Sequence, residues 1–534
     1  MMWCGRRPEM RTISKLSLLG VYTSALLLVT YLPYFVAHRV SVPGSTFNGY
    51  LVFDEDMNSY FSYIRQSADG SWLFHNLFTP ENHTALLFNL EWLALGKISW
   101  LLHVPVSTAF QIERVLGGIT LLLGFCLFAS IFIEAASMRR FALLLFSLGG
   151  GFGWVFILLQ KTGSLAIAPM DLLGGLHPFF QIMLNPHFSL AQGSLLLTFS
   201  SYLAGEIKGG GGYYLISGIA CALVGLMRPY DMVVAVFTMC IFMALRYVAE
   251  KHWPLCKTLW RSFPILMALP VVLYYQYLFE WDPVYKWWHI QSVQPPVYPL
   301  TMVVSAGLGL FLALGNIGQL LRLRGAEARK TFLLAFLSAM SILTFSFPVL
   351  SRPWQFGTVW MGPLIIAGLM NPERSFLSAL LKRRHLLVVL LIVNSLTSVW
   401  LVLWKVDEVS HGMYRTDNRL IGAFRWLEEN SSPSDVVFAS CETGNSIPRF
   451  SGNRVFCGYV STVELKHKAS LVERFFDSGT SDQDRRELLE RYGIKYVFYG
   501  PRELTLGKYQ PETSAFLRLA YRNEVVGIFV VEQG

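Results

Sequence analysis

The sequence predicts an α-helical protein that crosses a membrane many times and ends in a small extracytoplasmic α/β domain. The chain has 534 residues, of which 53% are hydrophobic and only 15% are charged, whereas soluble proteins carry about a quarter charged residues. Apolar runs of roughly 20 residues, each long enough to cross a bilayer, recur along the chain. After Lys405 the composition turns polar, and strand-like runs alternate with helical ones.

About eleven apolar segments are predicted to span the membrane, within a range of eleven to thirteen. The run 84–103 is treated differently, because Glu91 and Lys97 within it would be costly at the centre of a bilayer. It is predicted to be a helix that lies along the outer interface. The predicted spans are 16–37, 114–135, 141–160, 188–206, 212–228, 230–248, 263–279, 300–321, 331–350, 354–371 and 385–405.

Basic residues orient these spans. Short patches of Lys and Arg separate the apolar runs and account for most of the formal net charge of +9, so the charge indicates positive-inside topology and not a nucleic-acid partner. With the patches in the cytoplasm, residues 1–405 form the membrane domain and 38–113 form a long first outer loop. Residues 406–534 form the extracytoplasmic domain. The patches lie at 6–15, 139–140, 251–261, 322–330 and 382–384.

The polar C-terminal region is predicted to contain a partly parallel sheet, because its strands alternate with helices. Cys441 and Cys457 lie here and could pair if the region is extracytoplasmic, since disulfides persist in oxidising compartments. None of the seven cysteines has a metal-binding spacing. The predicted strands are 436–439, 455–460, 495–499 and 525–531, and the predicted helices are 419–429, 463–476, 482–492 and 513–520.

Three consecutive carboxylates near the start of the first outer loop are the first candidate site. Asp54, Glu55 and Asp56 could provide a general base or bind a divalent cation. The alternative is structural, because acidic residues favour the first turn of a helix. Both can hold if Asp56 caps the helix while Asp54 faces a substrate. An interfacial amphipathic helix is predicted over 57–69 from the spacing of its apolar residues, Met57, Tyr60, Phe61 and Ile64.

Two arginines at the predicted outer ends of spans are the second candidate. Arg228 and Arg352 lie on the side where positive-inside topology does not place them, and each precedes a proline and an aromatic residue. A lipid-linked phosphate in the outer leaflet would explain them, because guanidinium pairs bidentately with phosphate. The alternatives are snorkelling or a structural pair, for instance between Arg228 and Asp231.

The outer loop 161–187 is the third candidate, since its prolines and glycines prevent a regular helix. Asp171 could be a further acidic group, and His177 and His187 could bind substrate or metal. The histidine spacing matches no metal motif, and a histidine beside proline is more often structural.

The layout of the sequence and its acidic motif resemble those of a known family. A first span, a long outer loop with interfacial helices and the acidic motif at 52–56 are similar to the layout of the GT-C membrane glycosyltransferases, which use lipid-phosphate-linked sugars. Asp54 and Glu55 look like the Asp-Glu pair of the protein O-mannosyltransferases, and the aminoarabinose and arabinosyl transferases of bacteria are relatives. The resemblance covers the whole chain as an architecture. As sequence it covers little beyond 50–113, and the C-terminal domain matches no subfamily.

The resemblance implies an inverting transfer from a polyprenyl-phosphate sugar donor to a glycan, lipid or protein acceptor. It would take place on the outer side of a bacterial inner membrane, among membrane lipids. No cofactor would be required, although a divalent cation is compatible with the carboxylates. The implied roles are general base for Asp54 and orientation of the acceptor or support of Asp54 for Glu55. Asp56 and Asp171 would support the acceptor or a metal, and Arg228 and Arg352 would stabilise the departing lipid phosphate.

Three other readings stay open. A transporter or lipid-linked-sugar flippase is the main one, although the two halves of the chain show no repeat of the kind many transporters have. A scaffold that assembles envelope enzymes through the C-terminal domain is the second. An oligosaccharide ligase or polymerase would share the chemistry and differ in its donor.

Overall fold

A computed structural model describes residues 9–160, 170–173, 175–250, 255–321, 327–346, 349, 352–370 and 382–532. Parts of the predicted loop 161–187 and of the basic patches at 6–15, 251–261 and 322–330 therefore lie outside the described residues. The chain is mainly helical. By contacts it divides into two units: the first comprises residues 1–37, 112–269 and 295–410, and the second comprises 38–111, 270–294 and 411–534.

Eighteen helices are described up to residue 410, together with a π-helical turn at Tyr277–Trp281. They are α1 (Glu9–Arg39), α2 (Asp54–Ala68), α3 (Leu90–Leu102), α4 (Val106–Phe132), α5 (Ala136–Leu148), α6 (Gly153–Gln160), α7 (Met170–Leu173), α8 (Pro178–Leu184), α9 (Pro186–Lys208), α10 (Gly211–Met227), α11 (Pro229–Glu250), α12 (Leu255–Gln276), α13 (Tyr285–Gln291), α14 (Pro299–Leu321), α15 (Ala328–Phe345), α16 (Pro353–Gly357), α17 (Met361–Leu369) and α18 (Arg384–Ser410).

The chain is a multi-pass membrane protein. Among the described residues, eight helical segments are long and apolar enough to cross a membrane. The three other predicted spans, 188–206, 212–228 and 354–371, coincide with α9, with α10, and with α16 plus α17. By contrast, α3 has 13 residues and is only about 20 Å long, which is less than the thickness of a bilayer core. That length agrees with the prediction that 84–103 does not cross.

Two helices of the first unit are broken by glycine. The apolar segment Ala136–Leu159 is interrupted after α5, where the Gly150 N–H donates to the Asn394 carbonyl at 2.7 Å. In α14, Gly307 has a φ of 51° and a ψ of −134°, a conformation that suits glycine. The two breaks touch, because a Cβ on Gly307 would lie 2.7 Å from the Cα of Gly151. Backbone groups freed by the breaks are satisfied by neighbouring helices, as membrane proteins require.

The second unit contains two sheets. Strand β1 (Ser45–Phe47) pairs antiparallel with β2 (Arg415–Asp417). The larger sheet has five strands in the order β4-β3-β5-β7-β6, in which β3 is parallel to β4 and β5 while β7 is antiparallel to β5 and β6. Its strands are β3 (Val436–Phe438), β4 (Arg454–Val455), β5 (Ile494–Tyr499), β6 (Leu517–Arg522) and β7 (Gly527–Val531).

Apolar side chains cover both faces of this sheet. Val436 and Phe438 belong to one buried cluster and Val437 to another, as the alternation of a strand requires. A partly parallel sheet flanked by helices agrees with the predicted α/β fold. The helices are α19 (Asn418–Asn430), α20 (Cys441–Phe450), α21 (Leu465–Phe476), α22 (Asp482–Arg491) and α23 (Glu503–Leu506).

One predicted helix of this region is wrong. Residues 513–520 were expected to be helical, but a 3-10 turn ends at Thr513 and β6 starts at Leu517. The reason lies in the tertiary structure. Strand β6 pairs along its length with β7, and this pairing outweighs the local preference for a helix. Helix α20 was not predicted, because Pro448 lies inside it and its residues are mostly polar.

Candidate active site

The three carboxylates form the first turn of α2, which we call the acidic turn. It follows a backbone kink at Phe53, whose φ of 49° and ψ of 62° lie in the left-handed region that non-glycine residues seldom adopt. Asp54 and Glu55 are exposed, and Asp56 is half-buried. The acidic turn therefore fits both readings of the sequence, since it starts a helix and also presents two carboxylates outward.

The rest of α2 is fixed by packing. Met57, Phe61 and Ile64 are buried, as their helical spacing predicted. The ring of Tyr63 stacks on Trp92 of α3 with centroids 4.7 Å apart. The two helices also approach closely at Gly96, where a Cβ would come within 2.3 Å of Ser67. This packing gives the acidic turn a rigid base.

Residues of the C-terminal region hold the acidic turn from its other side. The Tyr459 hydroxyl donates to Asp56 Oδ1, and the Asn445 amide donates to the Glu55 carbonyl at 3.2 Å. Burial raises the pKa of Asp56, and the hydrogen bond from Tyr459 partly opposes that shift. Asp56 is thus a carboxyl group engaged within the protein.

Asp54 interacts with a phenol and with a guanidinium. Its carboxylate interacts with the Tyr50 hydroxyl and with the Arg449 guanidinium. The pKa of Tyr50 is raised, chiefly by burial and also by the nearby negative charge of Asp54, so the phenol keeps its proton. Sequence reasoning missed Tyr50, Asn445, Arg449 and Tyr459. No motif or spacing marks them, and three of them lie some four hundred residues beyond the acidic turn along the chain.

The two candidate arginines lie in the first unit and are joined by reciprocal contacts. Arg228 follows α10 and donates to the Gln355 side chain in α16 at 2.7 Å. Arg352 precedes α16 and donates to the Tyr230 hydroxyl in α11, with its guanidinium 5.6 Å from that ring. The structure thus brings the two arginines into one place, which we call the arginine cluster.

The arginines differ in their surroundings. Arg228 is buried, forms an ion pair with the fully buried Asp231, and lies 4.0 Å from the centroid of Phe188. This is the structural pair that the sequence offered as an alternative. His187 is also close enough to Arg228 to interact with its positive charge. Arg352 is half-buried, and its described hydrogen bond is the one to the neutral Tyr230 hydroxyl.

Asp171 and His177 lie against the broken helices. Asp171 Oδ2 accepts the Gly153 N–H at 2.7 Å and so holds the start of α6. His177 Nε2 lies 2.6 Å from the Ser305 carbonyl oxygen, next to the break in α14. Both side chains are buried, which argues against direct contact with a substrate in this conformation. Their predicted roles as acceptor, substrate or metal ligands stay predictions.

A metal ion would need several of these side chains close together. Within the described part of the chain, no three side chains of His, Cys, Asp or Glu come together as a metal-binding group. The carboxylates belong to the second unit, whereas the arginine cluster, Asp171 and the two histidines belong to the first.

The fold of this chain is shared with solved structures. It is that of the GT-C membrane glycosyltransferases, because solved structures of such enzymes match nearly the whole chain. No known family and no curated protein matches the sequence itself. With identities of 10% to 16%, the structural likeness establishes the fold and leaves the activity to be proposed.

Three of the matching structures illustrate the likeness. ArnT from Cupriavidus metallidurans, bound to undecaprenyl phosphate, has a TM-score of 0.56 and 11% identity, covering 96% of this chain and 98% of ArnT. Arabinofuranosyltransferase AftD from Mycobacteria has a TM-score of 0.57 and 14% identity, covering 97% of this chain but only 40% of AftD. The archaeal oligosaccharyltransferase AglB from Archaeoglobus fulgidus, in complex with an inhibitory peptide and a dolichol-phosphate, has a TM-score of 0.52 and 11% identity, covering 90% of this chain and 69% of AglB.

Proposed function

We propose that the chain is a membrane glycosyltransferase that moves a sugar from a polyprenyl-phosphate donor to an extracytoplasmic acceptor. The observation that carries this proposal is the acidic turn itself: two exposed carboxylates presented at the start of a rigid helix, in a GT-C fold. Two of the matched structures contain a polyprenyl phosphate, undecaprenyl phosphate in ArnT and dolichol-phosphate in AglB. A lipid-linked donor for this chain is inferred from them.

In the proposed reaction Asp54 is the general base. Its carboxylate would remove the proton of the acceptor hydroxyl while that oxygen attacks the anomeric carbon and the lipid phosphate leaves from the opposite face. The transfer would invert the configuration of the sugar. Glu55, equally exposed and one residue away, would orient the acceptor. Asp56 would support the turn, because its carboxyl group is already bonded to Tyr459.

Arg352 is the better candidate for the lipid phosphate. The Arg352 guanidinium is half-buried and lies at the start of α16, and a guanidinium can bind phosphate through two hydrogen bonds. Arg228 already forms an ion pair with the buried Asp231, and it would have to break that pair to bind a phosphate. In this proposal Arg228 shapes the cluster, and Arg352 stabilises the charge that develops on the departing phosphate.

The disulfide supports the proposed side of the membrane. Cys441 and Cys457 form a disulfide with their Cα atoms 4.7 Å apart. Disulfides form and persist in oxidising compartments. The region that contains the acidic turn would therefore face outward, in agreement with the positive-inside distribution of basic residues.

The test replaces Asp54 by Asn in the full chain. Purified protein in lipid nanodiscs would be given a panel of undecaprenyl-phosphate-linked hexoses and pentoses, with membranes from the source cells as acceptor, and release of undecaprenyl phosphate would be measured. Asp54→Asn is expected to lower the rate by about 10²- to 10⁴-fold, the usual contribution of a general base.

The matched control is Asp69→Asn, an exposed aspartate at the other end of α2. It is expected to keep parental activity. An Asp54→Asn variant that folds and still transfers sugar at the parental rate would refute the proposed base. Loss of activity in both variants would point to damage to the helix.

One observation favours a second function, lipid-linked-sugar translocation. Broken helices with a buried polar centre are typical of transporters, and Asp171 lies at the break before α6. If the chain is a flippase, Asp171→Asn should stop movement of a fluorescent undecaprenyl-phosphate sugar across proteoliposomes, while Asp54→Asn should not. The glycosyltransferase predicts no such movement by the parental protein.

A further inference from the structure

Helix α20 of the C-terminal region contacts the acidic turn through one face. Asn445, on its second turn, donates to the Glu55 carbonyl at 3.2 Å and accepts the Asn58 amide at 2.9 Å. Asn445 and Asn58 are both buried. Arg449 lies four residues further and therefore on the same face of the helix. A strip of α20 is thus matched to the first two turns of α2.

Arg449 makes hydrogen bonds on both sides of the acidic turn. Its Nη1 donates to Asn58 Oδ1 at 3.0 Å, and its Nη2 donates to the Asn48 carbonyl at 2.8 Å. Asn48 precedes the turn and Asn58 follows it, so the planar guanidinium bridges the chain across Asp54. The fork geometry of arginine suits this two-point contact, whereas a lysine could make only one of the bonds well.

Aromatic rings surround the Arg449 guanidinium. Its Cζ lies 4.7 Å from the Phe61 centroid and 5.2 Å from the Tyr50 centroid. Within the residues that the structure describes, no carboxylate oxygen forms an ion pair with Arg449, and Asp54 is the acidic group whose charge it feels. The charge is therefore poorly screened and directed at the acidic turn.

Tyr50 completes the arrangement. Its buried hydroxyl donates to Asn58 Oδ1 at 3.2 Å and also interacts with the Asp54 carboxylate. Among the residues that the structure describes, the titratable groups shown to act on Asp54 or to adjoin it include Tyr50, Arg449, Glu55 and Asp56. Only Arg449 among them carries a positive charge, while the neighbouring carboxylates oppose ionisation of Asp54.

We propose that Arg449 is a positioning residue for Asp54: its charge keeps the carboxylate ionised, and its two hydrogen bonds fix the backbone around the turn. This inference rests on the proposed function and adds to it that the C-terminal region completes the base. Arg449 acts through Asp54 and needs no contact with the substrate.

The disulfide keeps α20 in this place. It ties Cys441, the first residue of the helix, to Cys457 after β4. Next to it the backbones touch, because a Cβ on Gly444 would come within 2.0 Å of the Cys457 carbonyl oxygen. The disulfide and this close backbone contact thus hold in place the helix that carries Asn445 and Arg449.

The experiment compares three substitutions of Arg449 in the full chain. Arg449→Met and Arg449→Gln remove the charge, the latter keeping an amide donor for Asn58, and Arg449→Lys keeps the charge. The pH profile of kcat/KM would be measured with the donor selected from the undecaprenyl-phosphate-linked panel. Its acidic limb reports ionisation of the base in the free enzyme.

Loss of a positive charge destabilises the carboxylate, so the acidic limb should move to higher pH by about one unit in the two neutral variants. The rate on that limb should fall about tenfold, and thermal unfolding should show that the variants fold. Arg449→Lys should keep the parental limb and at least a tenth of the rate. The control is Arg474→Met, a surface arginine on α21, which should change nothing.

Three outcomes would overturn the inference. A neutral variant that folds and keeps the parental limb would show that the charge is irrelevant to Asp54. An equal loss of rate at every pH would show a structural role only. If neither neutral variant folds, Arg449→Lys decides, and a displaced limb in that variant counts against the proposal. Should Asp54→Asn itself leave transfer intact, the proposed function fails first.

Discussion

The acidic turn and the arginine cluster differ in the exposure of their charged side chains and in the groups around them. In the acidic turn, Asp54 and Glu55 are exposed, and Asn445 donates to the backbone carbonyl of Glu55. In the arginine cluster, Arg228 is buried and its charge is cancelled by Asp231 three residues away. Position at an outer helix end therefore does not by itself make a charged residue part of a site. The groups that surround it decide whether its charge is available.

The comparison also separates the two arginines. Arg228 supports the fold, because removing it would leave Asp231 buried without its partner. Arg352 donates to the Tyr230 hydroxyl, and its proposed role is to bind the phosphate of the donor. Four substitutions test these distinctions, and they are ordered by the size of the effect expected.

Arg228→Ala should cause the largest loss of stability. It removes one member of a buried ion pair, a change that costs about 3–5 kcal/mol because the remaining charge is uncompensated. The double variant Arg228→Ala with Asp231→Ala should recover a large part of this loss. Thermal unfolding in nanodiscs measures both. If the single and double variants are equally unstable, the pair does not explain Arg228.

Arg352→Ala should weaken use of the donor more than use of the acceptor. A hydrogen bond to a charged group contributes about 1.5–3 kcal/mol, which corresponds to roughly a 10- to 150-fold loss. The readout is KM for the undecaprenyl-phosphate-linked donor, with Arg352→Lys as the variant that keeps the charge. Tyr230→Phe controls for loss of the phenol contact and should bind the donor normally. Equal losses on donor and acceptor would remove Arg352 from the phosphate site.

Phe53→Gly should stabilise the acidic turn. A non-glycine residue in the left-handed region costs about 1–2 kcal/mol, and glycine adopts that region freely at some cost in chain entropy. The net gain expected is about 1 kcal/mol or less. Phe53→Ala keeps the strain and removes the ring, so the difference between the two variants isolates the backbone effect. A glycine variant no more stable than the alanine variant would show that the kink is unstrained.

Asp56→Asn should change stability in a pH-dependent way. Burial raises the pKa of Asp56 above its ordinary value of 3.8, so the folded state favours the protonated carboxyl. Its stabilising contribution is present at pH values below 3.8 and is lost as pH rises through the raised pKa. Asparagine stays neutral and still accepts from Tyr459, so the variant should gain on the parent as pH rises. The stability of the variant and of the parent would be measured from unfolding curves between about pH 3.5 and pH 7. A difference in stability that does not change with pH would show that ionisation of Asp56 is irrelevant.

The sequence predicted what depends on local pattern. The multi-pass class followed from apolar runs, the amphipathic α2 from Met57, Phe61 and Ile64, and the partly parallel sheet from the order of strands and helices. The GT-C resemblance, resting on the outer loop and Asp54-Glu55, agrees with the fold observed. The helix predicted at 513–520 was wrong because pairing with β7 outweighs local preference.

The partners of the acidic turn could not be predicted from the sequence. Tyr459 and Arg449 reach α2 only through the tertiary fold, and nothing about a single tyrosine or arginine in a polar region distinguishes it from its neighbours. The pairing of Arg228 with Asp231 was foreseeable, since residues three apart on a helical turn meet. That Arg352 should meet Tyr230 was not, because they lie 122 positions apart.

The contact between Glu55 and Asn445 joins residues 390 positions apart. A ribosome adding about 5–20 residues per second needs roughly 20–80 seconds to make the intervening chain. Throughout that interval the nascent protein already displays its carboxylates but lacks the segment that fixes them. If the proposed function is right, truncated chains released during synthesis should be inactive, because they lack Asn445 and Arg449.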